Sequence, residues 1–142
     1  MEINEEYMKK LFKENDYFGN YCGISLVKCE NGFAEMHVTL DEHHMSKIGR
    51  LHAHAGLLYT ISESASAAAI LSYGYDAMAS DGKITYLGAV TKGKLKVIAK
   101  AKDLHESEYG SCKVTVYNEE ELPIAKCVFT IYYTGEKFLL SE

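Results

Sequence analysis

Tryptophan is absent from this sequence, and proline occurs once, at Pro123, among 142 residues with 11 glycines. Such a chain is neither a Pro- or Gly-rich low-complexity segment nor a collagen-like repeat. Positive charge is in the minority, 15 Lys and Arg against 20 Asp and Glu for a net −5. That speaks against a general nucleic-acid binder, whose affinity rests on neutralising phosphates. The opening Met1-Glu2-Ile3-Asn4-Glu5-Glu6 has no apolar run and does not read as a signal or transit peptide. Cys22, Cys29, Cys112 and Cys127 lack Cys-x-x-Cys spacing and fall in strand-like stretches, so they read as reduced, half-buried thiols of a cytoplasmic protein. What the chain does have is apolar material: 47% hydrophobic and 25% charged residues, the composition of one globular domain over 1–142.

The pattern along the chain alternates between two periods. Asn4 is placed to cap a short helix ending near Asn15 (an N-terminal helical segment over 1–16), with Ile3 and Met8 at the staple positions either side of the cap. Residues 22–29 and 33–40 flank Glu30-Asn31-Gly32, and the second run alternates Ala34, Met36, Val38 and Leu40 with polar residues, a hairpin signal. A polar stretch from Asp41 to Ala53 precedes one long helix from about Ala55 to Tyr73. Four alternating runs follow at 83–91, 94–104, 111–117 and 124–134, punctuated by Asp81-Gly82, Lys92-Gly93, Tyr109-Gly110 and the 118–123 segment. Their short connections predict antiparallel neighbours, with residues 135–142 as a frayed tail. The fold class is α+β: a strongly bent antiparallel sheet wrapped around one buried helix.

That helix is unusual. Ten of the 18 residues from Ala55 to Ser72 are Ala, Ser or Gly, and Glu63 is the only charged one. A surface helix carries a charged face, so this one is expected to be covered nearly all round. The dispersed serines, Thr60 and Glu63 argue against a membrane span. Glu63 reads either as a structural carboxylate with a fixed partner or as a nucleophile or general base in an apolar cleft. At the other end, His54-Ala55-Gly56 opens the helix, where the first N–H groups have no internal acceptor and the dipole is positive. Small residues there let a substrate oxygen reach the backbone. Eight residues separate Ala55 from Glu63, about 12 Å of helix axis. One carbonyl cannot touch both, so joint action demands two copies of the chain about a two-fold axis.

The segment His54-Ala55-Gly56-Leu57-Leu58-Tyr59-Thr60-Ile61-Ser62-Glu63 puts an acid nine positions after a histidine and two small residues. It resembles the hot-dog-fold acyl-CoA thioesterases, most closely the PaaI-like branch, whose motif runs Asn-x-x-Gly, a short gap, His-Gly-Gly and then the acid. Ala55 stands for the first glycine. Glu63 stands for the aspartate of that branch, as in the related 4-hydroxybenzoyl-CoA thioesterases. Counting back from Gly49, the family's Asn falls on Ser46, and the gap to the histidine is two residues longer. The resemblance implies a hot-dog fold with an extra N-terminal helix and hydrolysis of an acyl-CoA thioester to free acid and CoA. It implies no further cofactor, and a homodimer whose pairs often form tetramers. It gives the Ala55 N–H, with that of Gly56, the task of polarising the carbonyl. It makes Glu63 of the second chain the attacking or water-activating group and His54 the orienting one. Ser46, Gly49, Tyr59 and Thr60 become substrate-contacting positions, with pocket depth depending on Leu57, Leu58 and Tyr59. Two alternatives stand beside this activity: a non-catalytic acyl-CoA-binding protein of the same fold, and a hot-dog dehydratase or hydratase. The latter class usually has Pro-Gly before the helix, which this chain lacks.

Lys92, Lys94, Lys96, Lys100 and Lys102 share even numbering and thus one strand face, a solvated surface or an attractor for coenzyme A phosphates, with Lys92, Lys94 and Lys96 nearest the strand's start. His43-His44 and His52-x-His54 lack an acid or Cys at matching spacing, so they read as solvated or loop-structuring histidines and no metal is expected. Tyr86, Tyr132 and Tyr133 read as packing or interface aromatics.

Overall fold

The computed structural model describes residues 3–102 and 108–137. Helix α1 spans Glu5–Asn15, with the Asn4 side chain accepting from the Tyr7 N–H at 2.8 Å and Met8 fully buried beneath it. A second short helix, α2 (Tyr17–Tyr21), follows at once, capped by Asp16, whose carboxylate accepts from the Gly19 N–H at 3.0 Å. This turn was not legible in the sequence. Strands β1 (Ser25–Glu30) and β2 (Phe33–Thr39) form the expected hairpin, with Asn31 and Gly32 both at positive φ (44° and 82°) in its two-residue turn. A 3-10 turn at Glu42–His44 and the two-residue strands β3 (Met45–Ser46) and β4 (His52–Ala53) build the polar stretch. Helix α3 (Ala55–Leu71) ends two residues before the expected Tyr73. Then come β5 (Tyr75–Tyr86), β6 (Lys94–Ala101), β7 (Glu108–Tyr117) and β8 (Pro123–Lys137).

The large sheet runs β1-β2-β6-β7-β8-β5, every pairing antiparallel, and α3 lies across one face. Period-2 alternation fixes that face. Met36 lies opposite Val97, which lies opposite Val116, and Cys112 lies opposite Phe129; all five are buried. Ala65, Ala68 and Ala69 have no exposed surface, which is how the small side chains of α3 let the sheet close over it. The four thiols are free and buried, and desolvation pushes that of Cys29 up to about 12.

Three expectations need correction. The first post-helix strand is not 83–91 but Tyr75–Tyr86, and Asp81-Gly82 lies inside it. Gly82 serves close approach rather than a turn: a Cβ there would sit 2.5 Å from the Tyr59 hydroxyl oxygen and 2.7 Å from the Phe129 ring. Nor is β5 a neighbour of β6. It pairs with β8 at the far edge, so residues 87–93 cross the sheet. Finally, 135–137 continue β8 rather than fray; the rest of the expected tail and positions 103–104 of the third run lie outside the described residues.

Candidate active site

Helix α3 is covered by the sheet except along one stripe. Gly56 and Glu63 are exposed on it, and Thr60 and Ala67 are half-buried, residues three or four apart that share one side of the helix. The expectation of cover nearly all round therefore holds for every face but the one that carries the acid. Among the described residues Glu63 makes no ion pair and no hydrogen bond. Its carboxyl is held above the ordinary glutamate range, chiefly by desolvation among its packed neighbours and secondly by the negative charge of Asp16. The Asp16 carboxylate caps α2 through one oxygen and accepts from the Ser64 hydroxyl at 3.4 Å through the other.

The opening turn of α3 is fixed from several sides. His54 is the N-cap, and its Nδ1 accepts from the Gly56 N–H at 2.8 Å, which leaves the ring proton on Nε2. The His54 N–H donates to the His44 carbonyl at 2.9 Å. His44 is buried and doubly bonded: Nδ1 accepts from the Asp41 N–H at 2.9 Å, and Nε2–H donates to the Cys22 carbonyl at 2.6 Å. The Tyr86 hydroxyl donates to the Ala55 carbonyl at 3.0 Å. The Gly56 N–H is thus spent on His54, contrary to its expected pairing with Ala55 as an oxyanion donor. The Ala55 N–H, first in the helix, has no acceptor among the described residues. A cavity of about 350 Å³ lies beside it, lined by His52, Ala55, Tyr86, Leu87, Gly88 and Val90.

The two halves of the expected constellation are therefore separate within one chain. Ala55 borders the cavity at the helix start, while Glu63 borders a groove against α1, and the two cavities share no lining residue. Ser46 accepts from the Ile48 N–H at 3.2 Å, and Gly49 (φ +80°) sits at the exposed tip between β3 and β4. Thr60 donates to the Gly56 carbonyl at 2.8 Å. The Tyr59 ring packs edge-on against Phe129, 5.6 Å between centroids, and Leu57 and Leu58 are buried. Of the lysines, Lys96 is committed to Glu121 and stands over the Tyr117 ring. Lys92 falls before the strand, past the positive-φ Gly93, and lines a cavity of about 570 Å³ with Lys47. Lys94 is exposed at the start of β6. Among the described residues no group of three His, Cys, Asp or Glu gathers as a metal site, and no helix is long and apolar enough to cross a membrane.

Asp16, His44 and Tyr86 are the site residues that sequence reasoning missed or gave another role. Asp16 reaches Ser64, 48 positions away, and His44 reaches Cys22, 22 positions away, and Tyr86 carries no local mark of its bond to Ala55.

A six-stranded antiparallel sheet curved over one long helix, with a helix at the N-terminus, defines the hot-dog fold, the fold of the PaaI-like thioesterases. Among solved structures the chain is similar to the PaaI protein of the E. coli phenylacetic acid degradation operon: 22% identity, TM-score 0.83, over 92% of this chain and 93% of that one. It is also similar to a hypothetical thioesterase of Streptococcus pneumoniae TIGR4 solved with coenzyme A: 20% identity, TM-score 0.79, over 89% of this chain and 99% of that one. A curated Archaeoglobus fulgidus protein, named as a proposed esterase, is 25% identical over 134 residues, 94% of this chain and 85% of its own length. No family model matches the chain.

Proposed function

We propose that the protein is an acyl-CoA thioesterase that hydrolyses a thioester to the free acid and CoA in a composite site shared by two copies of the chain. The observation that carries this reading is a pair of groups on α3 that have no partner among the described residues: the Glu63 carboxylate, with no cation or donor, and the Ala55 backbone N–H, with no acceptor. Both groups lie open to solvent and to a ligand, and a carboxylate whose pKa is raised by its surroundings marks a candidate functional site. The description of the Streptococcus pneumoniae relative as a hypothetical thioesterase, and the coenzyme A it was solved with, support the substrate class.

In the reaction, the Ala55 N–H of one subunit hydrogen-bonds the thioester oxygen. Glu63 of the partner subunit removes a proton from a water as the hydroxide adds to the carbonyl carbon. The oxyanion gains from the helix dipole and the N–H, then collapses with loss of the CoA thiolate, a leaving group that needs little acid assistance. The raised pKa of Glu63 suits a base working near neutral pH. His54 keeps the first turn in place through its Nδ1 bond to Gly56. Lys92 and Lys94 are free to meet CoA phosphates, whereas Lys96 is neutralised by Glu121.

Geometry supports a homodimer. The β1 edge of the sheet is covered by α1, but among the described residues β5 pairs only with β8, which leaves the other edge of a twelve-residue strand open, with Met78 and Tyr86 exposed along it. Bare edges of this length are normally protected. Pairing β5 with its two-fold copy would protect this one and bring the open α3 stripes of the two chains together.

The test is a steady-state assay with acetyl-, decanoyl- and phenylacetyl-CoA on the wild type and Glu63→Gln. Thiol release by the wild type, lost in the variant, is expected. Saturable binding without release would replace this reading with acyl-CoA binding alone, and reversible hydration of an enoyl thioester would replace it with a hydratase.

A further inference from the structure

Glu63 opens onto a groove between α1 and α3 of about 280 Å³, walled by Leu11 and Phe12 of α1 and by Ala67 and Leu71 of α3. The sequence placed the depth-setting residues elsewhere, at Leu57, Leu58 and Tyr59. Those leucines are turned under the sheet, and the Tyr59 ring is packed on Phe129. The groove has a direction. Glu63, Ala67 and Leu71 are spaced by four, so they stack along one side of α3 and extend about 12 Å from the carboxylate. It also has a polarity. Asp16 and Glu63 both line it, with the neutral side chains of Asn15 and Ser64 next to them in sequence, and neither acid has an ion-pair partner among the described residues; Leu11, Phe12, Ala67 and Leu71 supply the apolar part of the lining. A ligand that fits presents its reacting carbon to Glu63, runs an apolar tail toward Leu71, and carries no negative charge on that tail, which the two carboxylates would repel.

We propose that the α1–α3 groove receives the acyl group of the thioester, that it selects uncharged apolar acyl groups over acetyl and over acid-terminated ones, and that Ala67 and Phe12 set the accepted length. This rests on the thioesterase reading of Glu63. Ala67 is the control point because it contributes a single methyl group one helical turn beyond the acid. A larger side chain there fills the channel without entering the core, since Ala67 is half-exposed and helix formers are tolerated at such a position. Phe12 faces it from α1, and its removal lengthens the channel.

The experiment compares kcat/KM for acetyl-, decanoyl-, phenylacetyl- and glutaryl-CoA in the wild type, Ala67→Phe and Phe12→Ala, with thermal melting as the folding control. The wild type is expected to favour decanoyl- and phenylacetyl-CoA over acetyl- and glutaryl-CoA, and Ala67→Phe to lower the decanoyl-to-acetyl ratio by about tenfold or more, the scale of a methylene-sized misfit in an apolar pocket. Phe12→Ala is expected to raise that ratio, and it keeps the test decisive if Ala67→Phe does not fold. Ratios unchanged in folded variants, or glutaryl-CoA as the best substrate, would overturn the groove assignment while leaving the hydrolase intact. Calorimetric binding of decanoyl-CoA separates the two claims. If no thioester is cleaved but decanoyl-CoA binds and Ala67→Phe weakens it tenfold, the groove stands and the thioesterase reading falls.

Discussion

At the scale of single residues, the proposed chemistry turns on a carboxylate that has no cation beside it among the described residues. Glu63 was legible in the sequence because it is the lone charge in a stretch of small and apolar residues; its role came only from the resemblance of the His54–Glu63 segment to the thioesterase motif. Asp16 was not legible. Its influence on Glu63 depends on α2, a five-residue helix whose existence rests on the Asp16 cap itself, and on Ser64 lying 48 positions away. Glu63→Gln keeps the shape and removes the base, so kcat is expected to fall by roughly 10²–10⁴, the range of general-base contributions, in a steady-state thiol-release assay. The same change affects stability. An acid whose pKa is raised on folding weakens the fold once pH passes the ordinary glutamate value of about 4.3, because the unfolded chain ionises first. Glu63→Gln should therefore raise Tm at neutral pH and leave it unchanged in acid, as read by calorimetry across pH.

Asp16→Asn separates charge from structure, since asparagine caps a helix as well as aspartate does. With the neighbouring negative charge gone, Glu63 should ionise at lower pH. The acid limb of kcat/KM is then expected to move down while Tm stays within a few degrees. A limb that does not move would assign the raised pKa to desolvation alone.

At the scale of elements, α3 and the β1–β2 hairpin were readable because their signals are local: a run of helical length with a single charge, and Asn31-Gly32 between alternating strands. The placement of β5 was not. Gly82 carries the sequence mark of a turn but is required by the Tyr59 hydroxyl and the Phe129 ring packing over it, a contact between distant positions. Gly82→Ala should destabilise the protein by about 1–3 kcal/mol, the usual cost of overpacking, measurable by urea unfolding. The start of α3 offers a cleaner substitution. Ala55 is the first helical residue, and His54 before it has φ −58° and ψ 133°, a backbone that accepts a following proline. Ala55→Pro thus removes one N–H and little else. It is expected to retain the wild-type Tm and to lose roughly 10²–10³ in kcat, the effect of deleting one oxyanion donor.

At the scale of the molecule, the sheet order explains both what was legible and what was not. Alternation in the strands predicted a curved antiparallel sheet around one helix. Short connections, however, suggested β5 beside β6, whereas β5 crosses to the far edge and leaves one side of itself unpaired. That bare edge, together with two groups about 12 Å apart on the same helix that have no partner among the described residues, supports the proposal that the isolated chain is half of two sites.

The measurement that meets this account most directly uses two inactive variants. Glu63→Gln and Ala55→Pro chains, mixed by unfolding and refolding together, form mixed dimers in which one of the two sites combines an intact Ala55 with an intact Glu63. Random pairing then predicts recovery of about a quarter of the wild-type thioesterase activity, from a mixture whose parents each show almost none. A mixture that contains mixed dimers and remains as inactive as its parents would contradict the composite site.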